Sequence, residues 1–193
     1  MQCLIDIIKT VLVGKVTRYL YILTGSGRNG KSILFDILKY IFQGAMDVIS
    51  EKVITNNNGG RDSGTTTEFE KMDKTRLGYV TELREEDRLN EKNIKKISGG
   101  DLIDLRPLFK SNITIKPICN LFVLTNEMPN FSIEQAIIDR MIIIPFKNRF
   151  EVDANFREKM FNKSDQIFTY IMKYGRIMDT FECSEEMNEI KMN

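Results

Sequence analysis

The chain has 193 residues, which suits one domain, or one domain with a terminal appendage, and is long enough to bury a substantial core. Its 28 basic and 27 acidic side chains give a formal net charge of +1, so no overall basic field indicates a nucleic-acid partner. The chain has no histidine, which excludes imidazole bases, histidine metal ligands and Ser-His or Cys-His nucleophiles. Any chemistry must therefore depend on Lys, Arg, Asn, carboxylates and a metal ion.

The three cysteines, Cys3, Cys119 and Cys183, lie far apart in the sequence and form no CxxC pair. Their odd number and wide spacing argue for a reducing compartment and against a disulfide framework or a zinc site. No apolar run approaches the roughly 18 residues that span a bilayer, and Asp6 and Lys9 interrupt the apolar pattern of the first 13 residues, unlike a signal peptide. These features predict a soluble, intracellular protein with no membrane partner.

The first element is predicted to be a helix over residues 1–12, because apolar residues recur at helical spacing and Gly14 offers a stop. We expect residues 1–14 to form an entry helix that packs on the core. An apolar run over residues 19–23 then predicts a strand.

Directly after this strand the sequence fits the phosphate-loop pattern GxxxxGK[ST]. Backbone N–H groups of such a loop surround a triphosphate, the lysine reaches the β and γ oxygens, and the hydroxyl can ligate Mg²⁺. The loop is predicted to bind nucleotide through Gly25, Ser26, Gly27, Arg28, Asn29, Gly30, Lys31 and Ser32.

The alternative is an ordinary glycine-rich turn between a strand and a helix. The sequence around the loop distinguishes it from a nucleotide-binding loop. Apolar residues recur at helical spacing from Lys31 to Phe42, so the loop is expected at a helix N-terminus, where the dipole favours anions. An ordinary turn does not require Lys-Ser at its end.

The remaining chain alternates short apolar strands with helical segments. Strands are predicted around residues 48–49 and over 77–81, 120–125 and 141–146, a mobile loop over 56–67, and an amphipathic helix over 164–178. Nearly uninterrupted apolar strands separated by helices indicate an α/β fold whose parallel sheet is covered on both faces.

Polar residues follow two of these strands. Glu82 ends the strand over 77–81 and can hold Mg²⁺ or orient the attacking water, whereas the alternative is a surface residue that opens the charged run over 82–88. Asn126 follows the next apolar strand and can sense a γ-phosphate, whereas the alternative is an Asn that ends a strand before Pro129.

Five motifs, taken in chain order, resemble those of superfamily 3 helicases. They resemble more closely the motifs in the ATPase domain of the poxvirus-type and phage/plasmid-type primase-helicases. The resemblance covers about residues 15–150. It is carried by Gly25-x-Gly-x-Asn-Gly-Lys-Ser, Arg76-Leu with Glu82-Leu83, Lys96-Ile-Ser-Gly-Gly-Asp101 with Arg106-Pro107-Leu108, Thr125-Asn126-Glu-Met-Pro129, and Asp139-Arg140 before Ile144-Pro145-Phe146.

The resemblance implies a P-loop NTPase of AAA+-like fold that assembles into a ring, usually a hexamer, and translocates on single-stranded DNA with ATP and Mg²⁺. Arg140 matches the arginine finger of the family, which enters the site of the neighbouring subunit, although members often have two adjacent arginines where this chain has Asp139-Arg140. The alternative for Arg140 is a cap on the following strand. The family also suggests a host-cell cytoplasmic or viral replication site.

Residues 101–116 match the family's DNA-contacting hairpin, which is inserted into the ATPase core, with residues 109–112 at its tip. Lys110 can pair with phosphate and Phe109 can stack on a base, while the alternative is a plain surface hairpin with charged sides. We therefore expect an entry helix over 1–14, an ATPase/helicase core over 15–150 and a helical appendage over 151–193.

Family members usually carry a primase and a helical collar, and nothing of that length precedes residue 15. The chain is then a separately encoded module, a fragment or a degenerate copy, and the resemblance also implies a primase domain or other replication proteins as partners. Two other functions stay open: a P-loop ATPase or kinase that does not act on DNA, and an ATP-binding scaffold or fragment with negligible turnover.

Overall fold

The computed structural model describes residues 2–56, 63–81, 83, 86–107, 110–131 and 134–181, and for residues 63–65 it describes the backbone alone. Glu82 and Phe109, both predicted site residues, lie outside the described residues.

The described residues contain seven helices and seven strands in an alternating order. In chain order they are α1 (Gln2–Leu12), β1 (Leu20–Thr24), α2 (Lys31–Phe42), β2 (Met46–Val48), α3 (Ser63–Met72), β3 (Leu77–Thr81), α4 (Glu91–Gly99), β4 (Ile103–Leu105), β5 (Ile113–Ile115), β6 (Asn120–Leu124), α5 (Gln135–Ile138), β7 (Met141–Pro145), α6 (Phe156–Phe161) and α7 (Ser164–Tyr174). Two 3-10 turns, Gln43–Ala45 and Glu51–Val53, flank β2.

Five strands form one parallel sheet in the order β2-β3-β6-β1-β7. Successive side chains of β1 enter two different cores: Leu20 and Ile22 pack on one face, and Tyr21 and Leu23 on the other. Both faces of the sheet are therefore buried, which explains why its strands are apolar at every position. The predicted α/β fold with a parallel sheet flanked by helices is confirmed.

Different elements cover the two faces. Helices α1 and α2 contribute Ile7, Val11 and Phe35 to one core. Helices α3 and α4 supply Phe69 and Ile94 to the other, together with the inward residues of the β4-β5 hairpin. The predicted hairpin over 101–116 is thus present as an antiparallel pair, and its base is anchored in the core. The division of the chain at residues 14 and 150 stays a prediction.

The strand register places several loops at one edge of the sheet. Leu124 of β6 aligns with Leu23 of β1 and with Thr81 of β3, so these three parallel strands end together. The segments that follow them therefore begin side by side at the carboxyl edge. Arg140 lies at the opposite, amino edge, because it immediately precedes β7 and its carbonyl accepts a hydrogen bond from Leu20 N at 2.7 Å.

Some predicted boundaries are wrong. The amphipathic helix predicted over residues 164–178 ends at Tyr174. The mobile loop predicted over 56–67 overlaps helix α3, which begins at Ser63. The helix buries Phe69 and Met72, three residues apart, and the Glu68 carboxylate accepts a hydrogen bond from Ser50 N at 2.9 Å. These tertiary contacts outweigh the low helix propensity of its Thr-rich first turn.

Gly78 of β3 offers a test of core packing. A Cβ there would lie 2.6 Å from Cys119 Sγ and 2.7 Å from Ile49 Cγ1. We expect Gly78→Ala to lower the free energy of unfolding by about 1 to 3 kcal/mol, as overpacking does in tight cores. Urea unfolding monitored by circular dichroism measures this loss. Gly44→Ala is the matched control, since a Cβ at Gly44 meets no atom within 4 Å; equal midpoints for the two variants would contradict the packing.

An ion pair between a buried carboxylate and an exposed arginine joins α1 to the segment after α7. The Asp6 side chain is 3% exposed, and its Oδ2 accepts from Arg176 Nη2 at 2.6 Å. Burial alone would raise the pKa of Asp6, but hydrogen bonds from the Arg176 side chain and backbone and from Gln2 outweigh it and hold that pKa below the usual carboxyl value.

We expect Arg176→Ala to lower the free energy of unfolding by more than the loss of a surface ion pair does, because it removes a charged partner of a buried carboxylate. The folded-state pKa of Asp6 is lowered, so its stabilisation is present above the unfolded pKa and is lost as pH falls through the folded pKa. Urea midpoints at pH 7 and below pH 4 measure both effects. The control is Lys159→Ala, because its partner Asp153 is half-exposed. If Lys159→Ala lowered the free energy of unfolding as much as Arg176→Ala, a special contribution of the Asp6–Arg176 pair would be contradicted.

Candidate functional site

The segment over residues 25–32, hereafter the phosphate loop, follows β1 and leads into α2 at the carboxyl edge of the sheet. Gly30 caps α2 with φ of 88° and Arg28 has φ of 66°, both in the left-handed region. Gly25 has φ of 145°, and a Cβ there would lie 2.3 Å from Phe146 O. The loop is therefore tightly turned, and position 25 requires glycine for both conformation and space.

Lys31 is the first residue of α2 and is only 5% exposed. Its ammonium donates to Gly25 O, and among the described residues no carboxylate pairs with it. Burial lowers the pKa of Lys31, because desolvation penalises the charged form. The loop thus holds a desolvated cation whose described partner is a carbonyl oxygen, beside the N-terminus of a helix. This arrangement fits an anion such as a phosphate group.

The rest of the loop divides into an open part and a buried part. Ser26, Gly27 and Arg28 are exposed, whereas Asn29 is 6% exposed. The arrangement leaves the open part accessible to a ligand and turns the Asn29 side chain toward the protein.

Ser32 lies in the first turn of α2 with an exposed side chain, so its hydroxyl is accessible at the same edge of the sheet. Within the described ranges no three Cys, Asp or Glu side chains gather as ligands of a metal. Mg²⁺ commonly takes one or two protein groups, several waters and the phosphates of the substrate, so Ser32 fits an ion that arrives with a nucleotide. Glu82, the other predicted ligand, lies outside the described residues.

Asn126 is exposed and follows β6, the strand that pairs with β1. The structure therefore brings Asn126 and the phosphate loop to neighbouring positions on one edge. Its predecessor, Thr125, has a role that sequence reasoning missed: Thr125 is 4% exposed, donates from its hydroxyl to Glu127 O at 2.6 Å and donates from its N–H to Leu23 O at 3.0 Å. These bonds fix the backbone position from which the Asn126 side chain extends. In the sequence, the apolar run that ends in Thr-Asn is the signal that could have indicated this role of Thr125.

Arg140 is not brought to the phosphate loop of its own chain. It lies at the start of β7, and the five residues of β1 separate that edge from the loop by roughly 16 Å at 3.3 Å per residue. Its Nη1 donates to Ala136 O at 2.6 Å, and the residue is partly exposed.

Lys110 lies at the tip of the β4-β5 hairpin with 67% of its side chain exposed. Its ammonium is 3.9 Å from Glu70 Oε2 of α3. This long ion pair leaves Lys110 accessible to an external anion and at the same time provides a competitor for that anion.

A largely apolar cavity of about 1070 Å³ opens beside the phosphate loop at Arg28 and Gly30. Its wall is made by α1, α2, α6, α7 and the segment over residues 146–153, hereafter the β7 exit segment. Aromatic side chains on this wall include Phe146, Phe150, Phe156 and Tyr170. Sequence reasoning missed the cavity because elements from both ends of the chain enclose it.

Among the described residues, no helix is both long and apolar enough to cross a membrane.

Comparison with known families identifies a family that matches more than half of the chain. Residues 23–140 match the profile of a family described as a family of unknown function, DUF5906. The chain belongs to this family. The matched residues run from the end of β1 to the start of β7, so they include the phosphate loop, Asn126, the hairpin and Arg140.

Several viral proteins are related to this DUF5906 chain. A protein of Acanthamoeba polyphaga mimivirus named "Putative helicase" is 34% identical over 143 residues, which is 72% of this chain and 15% of that protein. Proteins of the same name from Sputnik virophage and Invertebrate iridescent virus 6 are 26% and 27% identical over 79% and 90% of this chain. The chain spans 20% and 18% of their lengths, so it corresponds to a fifth or less of each relative.

Solved structures share the fold. Two apo structures of the NrS-1 C-terminal region superpose with TM-scores of 0.71 and 0.73 over 96% and 98% of this chain, at 16% and 17% identity. The chain covers 45% and 46% of those chains.

Proposed function

We propose that this chain is the ATPase domain of a superfamily 3 type DNA helicase, which couples ATP hydrolysis to translocation on single-stranded DNA in viral or mobile-element replication. The observation that carries the proposal is the buried Lys31 ammonium, which lies at a helix N-terminus with a carbonyl as its partner. A triphosphate supplies negative charge to this cation, for which no carboxylate partner is found among the described residues. The name "Putative helicase" of the three viral relatives supports the proposal.

In this proposal the phosphates lie in the open part of the loop, where backbone N–H groups and Lys31 neutralise their charge. The hydroxyl of Ser32 and the carboxylate of Glu82 are the protein groups for Mg²⁺. When bound with the nucleotide, Mg²⁺ neutralises charge on the phosphate oxygens. Asn126, at the same edge of the sheet as the phosphate loop, positions the attacking water, and Glu82 activates it.

The nucleoside lies in the cavity beside the loop. The cavity meets the phosphate loop at Arg28 and Gly30, so a nucleotide with its phosphates in the loop can continue into it. Aromatic side chains such as Phe150 are able to stack on a base, as apolar and aromatic walls commonly do in ligand sites.

The AAA+-like ring, usually a hexamer, is part of the same proposal. Arg140 is too far from its own loop to reach it, so a role in phosphoryl transfer requires the site of a neighbouring subunit. The proposal places the protein in the host-cell cytoplasm or at a viral replication site. Its proposed partners are a primase domain or other replication proteins.

Lys110 and Phe109 are the residues proposed to contact DNA. Phe109 lies outside the described residues, so the prediction concerns Lys110. We expect Lys110→Ala to weaken single-stranded DNA binding about three- to tenfold and to reduce its salt dependence, because each subunit loses one phosphate contact. Glu70→Gln should act in the opposite direction, since it removes the acidic neighbour of Lys110. Fluorescence anisotropy of a labelled oligothymidine at several salt concentrations measures both.

The exposed Lys74, which lies between α3 and β3, serves as the matched control for the hairpin. Lys74→Ala should leave the affinity for DNA within about twofold. Equal losses in Lys74→Ala and Lys110→Ala would contradict a specific role for the hairpin.

Steady-state ATP hydrolysis, with and without single-stranded DNA and at several protein concentrations, tests the whole proposal. Stimulation by DNA, with a rate that rises more than linearly with protein, supports a ring of shared sites. Hydrolysis that ignores DNA and scales linearly indicates a P-loop ATPase of another kind. No hydrolysis and no binding of MgADP would overturn nucleotide binding itself.

A further inference from the structure

Asn29 is a buried side chain that follows the exposed part of the phosphate loop. Its three predecessors, Ser26 to Arg28, face solvent, yet Asn29 is 6% exposed. A buried amide must find hydrogen-bond partners, because an unpaired one costs free energy. Its partners therefore show what the side chain does.

The amide of Asn29 connects the two ends of the phosphate loop. Nδ2 donates to Ser26 O at 2.7 Å, and Oδ1 accepts from Lys31 N at 3.3 Å. The first contact closes the loop on itself, and the second fixes the backbone of the residue that carries the ammonium. One planar group thus sets the spacing between the start of the loop and the start of α2.

The same amide also connects the loop to the β7 exit segment. Nδ2 makes a longer contact of 3.5 Å with Phe146 O, the oxygen that a Cβ at Gly25 would strike. Two backbone bonds support this connection: Phe146 N donates to Thr24 O at 2.7 Å and Phe150 N donates to Arg28 O at 2.9 Å. The second bond holds the carbonyl of Arg28, whose backbone is in the left-handed region that non-glycine residues rarely adopt.

We infer that Asn29 is a positioning residue that holds the phosphate loop in its ligand-ready shape before nucleotide binds. The inference rests on the proposed function of the loop. The group must be an amide, because one end faces two carbonyl oxygens and needs a donor, while the other faces an N–H and needs an acceptor. A carboxylate would place a negative oxygen against both carbonyls.

The expected consequence is a change in affinity and little change in the chemical step. A loop that is ordered in advance does not lose conformational freedom on binding. Without Asn29 that ordering occurs at the moment of binding, so the dissociation constant of the nucleotide rises. Once phosphates occupy the loop, they hold the backbone N–H groups themselves, so turnover at saturation is largely preserved.

The experiment compares Asn29→Ala and Asn29→Asp with the wild-type chain by MgATP hydrolysis kinetics and by calorimetric titration with MgADP. For Asn29→Ala we expect KM and the dissociation constant of MgADP to rise about tenfold, with kcat within about twofold, as expected for the loss of one or two neutral hydrogen bonds. Asn29→Asp should raise both constants further, because its charge also opposes the phosphates.

Asn155→Ala is the matched control, since Asn155 is exposed at the start of α6 and its side chain makes no cap hydrogen bond. It should change neither constant. Thermal unfolding midpoints accompany each titration, and the Asn29 variants are expected to unfold within a few degrees of the wild type. If Asn29→Ala does not fold, Asn29→Asp, which keeps the shape of the side chain, decides the question alone.

Unchanged KM and MgADP affinity in folded Asn29 variants would overturn the inference, and so would a fall in kcat at constant KM, which places Asn29 in the chemical step. A wild-type chain that neither hydrolyses ATP nor binds MgADP would overturn the proposed function and this inference together. The wild-type titration therefore distinguishes the two failures.

Discussion

Lys31→Ala is expected to lower the rate of ATP hydrolysis at least about 100-fold, the loss that follows when one preorganised donor to developing charge is removed. The ammonium is the buried cation of the loop and donates to Gly25 O, which lies at the start of the same loop. A methyl group in its place leaves phosphate charge without its nearest compensation. Phosphate release, measured at saturating MgATP, gives the rate.

The fold should survive this substitution. Burial lowers the pKa of Lys31, so the charged side chain disfavours folding at neutral pH, and this penalty disappears only as pH rises through the ordinary lysine pKa. Replacing the lysine by alanine removes that cost. We therefore expect an unfolding midpoint equal to or above that of the wild type, which separates a loss of function from a loss of structure.

Lys39→Ala on the same helix is the matched control. Lys39 is near the C-terminal end of α2, and its ammonium lies 3.3 Å from the Asp47 carboxylate in a partly exposed pair. It should retain hydrolysis within about twofold, since such a pair contributes little to stability. If Lys31→Ala kept more than a tenth of the wild-type rate, the buried ammonium would not be the phosphate-binding group.

The strands and the position of the turn between β1 and α2 could be predicted because their signals are local. The strand predicted over residues 77–81 coincides with β3, whose side chains are buried on both faces of the sheet, so an apolar run marked the element directly. The loop pattern likewise depends on eight consecutive residues. Neither requires knowledge of distant parts of the chain.

The features that were missed depend on distant contacts. Helix α3 begins in a Thr-rich segment, and the residues that stabilise it, Phe69 and Met72, come later in the sequence. The Asn29 side chain meets a carbonyl 117 positions away, at Phe146. The pattern predicted Asn29 as a nucleotide-binding residue, but it could not show that the side chain faces the protein and not the open part of the loop.

Arg140→Ala is expected to lower hydrolysis by about 10³-fold or more if its guanidinium neutralises charge on the transferring phosphoryl group. The register of β1 and β7 places Arg140 at the edge of the sheet opposite the phosphate loop. An arginine side chain does not cover the roughly 16 Å between the two edges. We therefore expect the loss of hydrolysis only if Arg140 acts in the site of a neighbouring subunit.

Mixing two inactive variants tests whether Arg140 acts in a neighbouring subunit. A subunit with Arg140→Ala keeps an intact phosphate loop, and a subunit with Lys31→Ala keeps an intact arginine. In a ring of head-to-tail contacts, random mixing in equal amounts joins an intact loop to an intact arginine at about a quarter of the interfaces. Hydrolysis should then reappear in the mixture although each variant alone is inactive.

The outcome of mixing separates two geometries. If Arg140 acted within its own chain, no subunit in the mixture would contain both groups and hydrolysis would stay absent at every ratio. If it acts between chains, hydrolysis rises with the content of both variants, is highest near equal amounts and disappears on dilution below the concentration at which the wild-type rate becomes linear in protein. The second result requires the edge that carries Arg140 to face the phosphate-loop edge of the next subunit, which fixes the orientation of subunits around the ring.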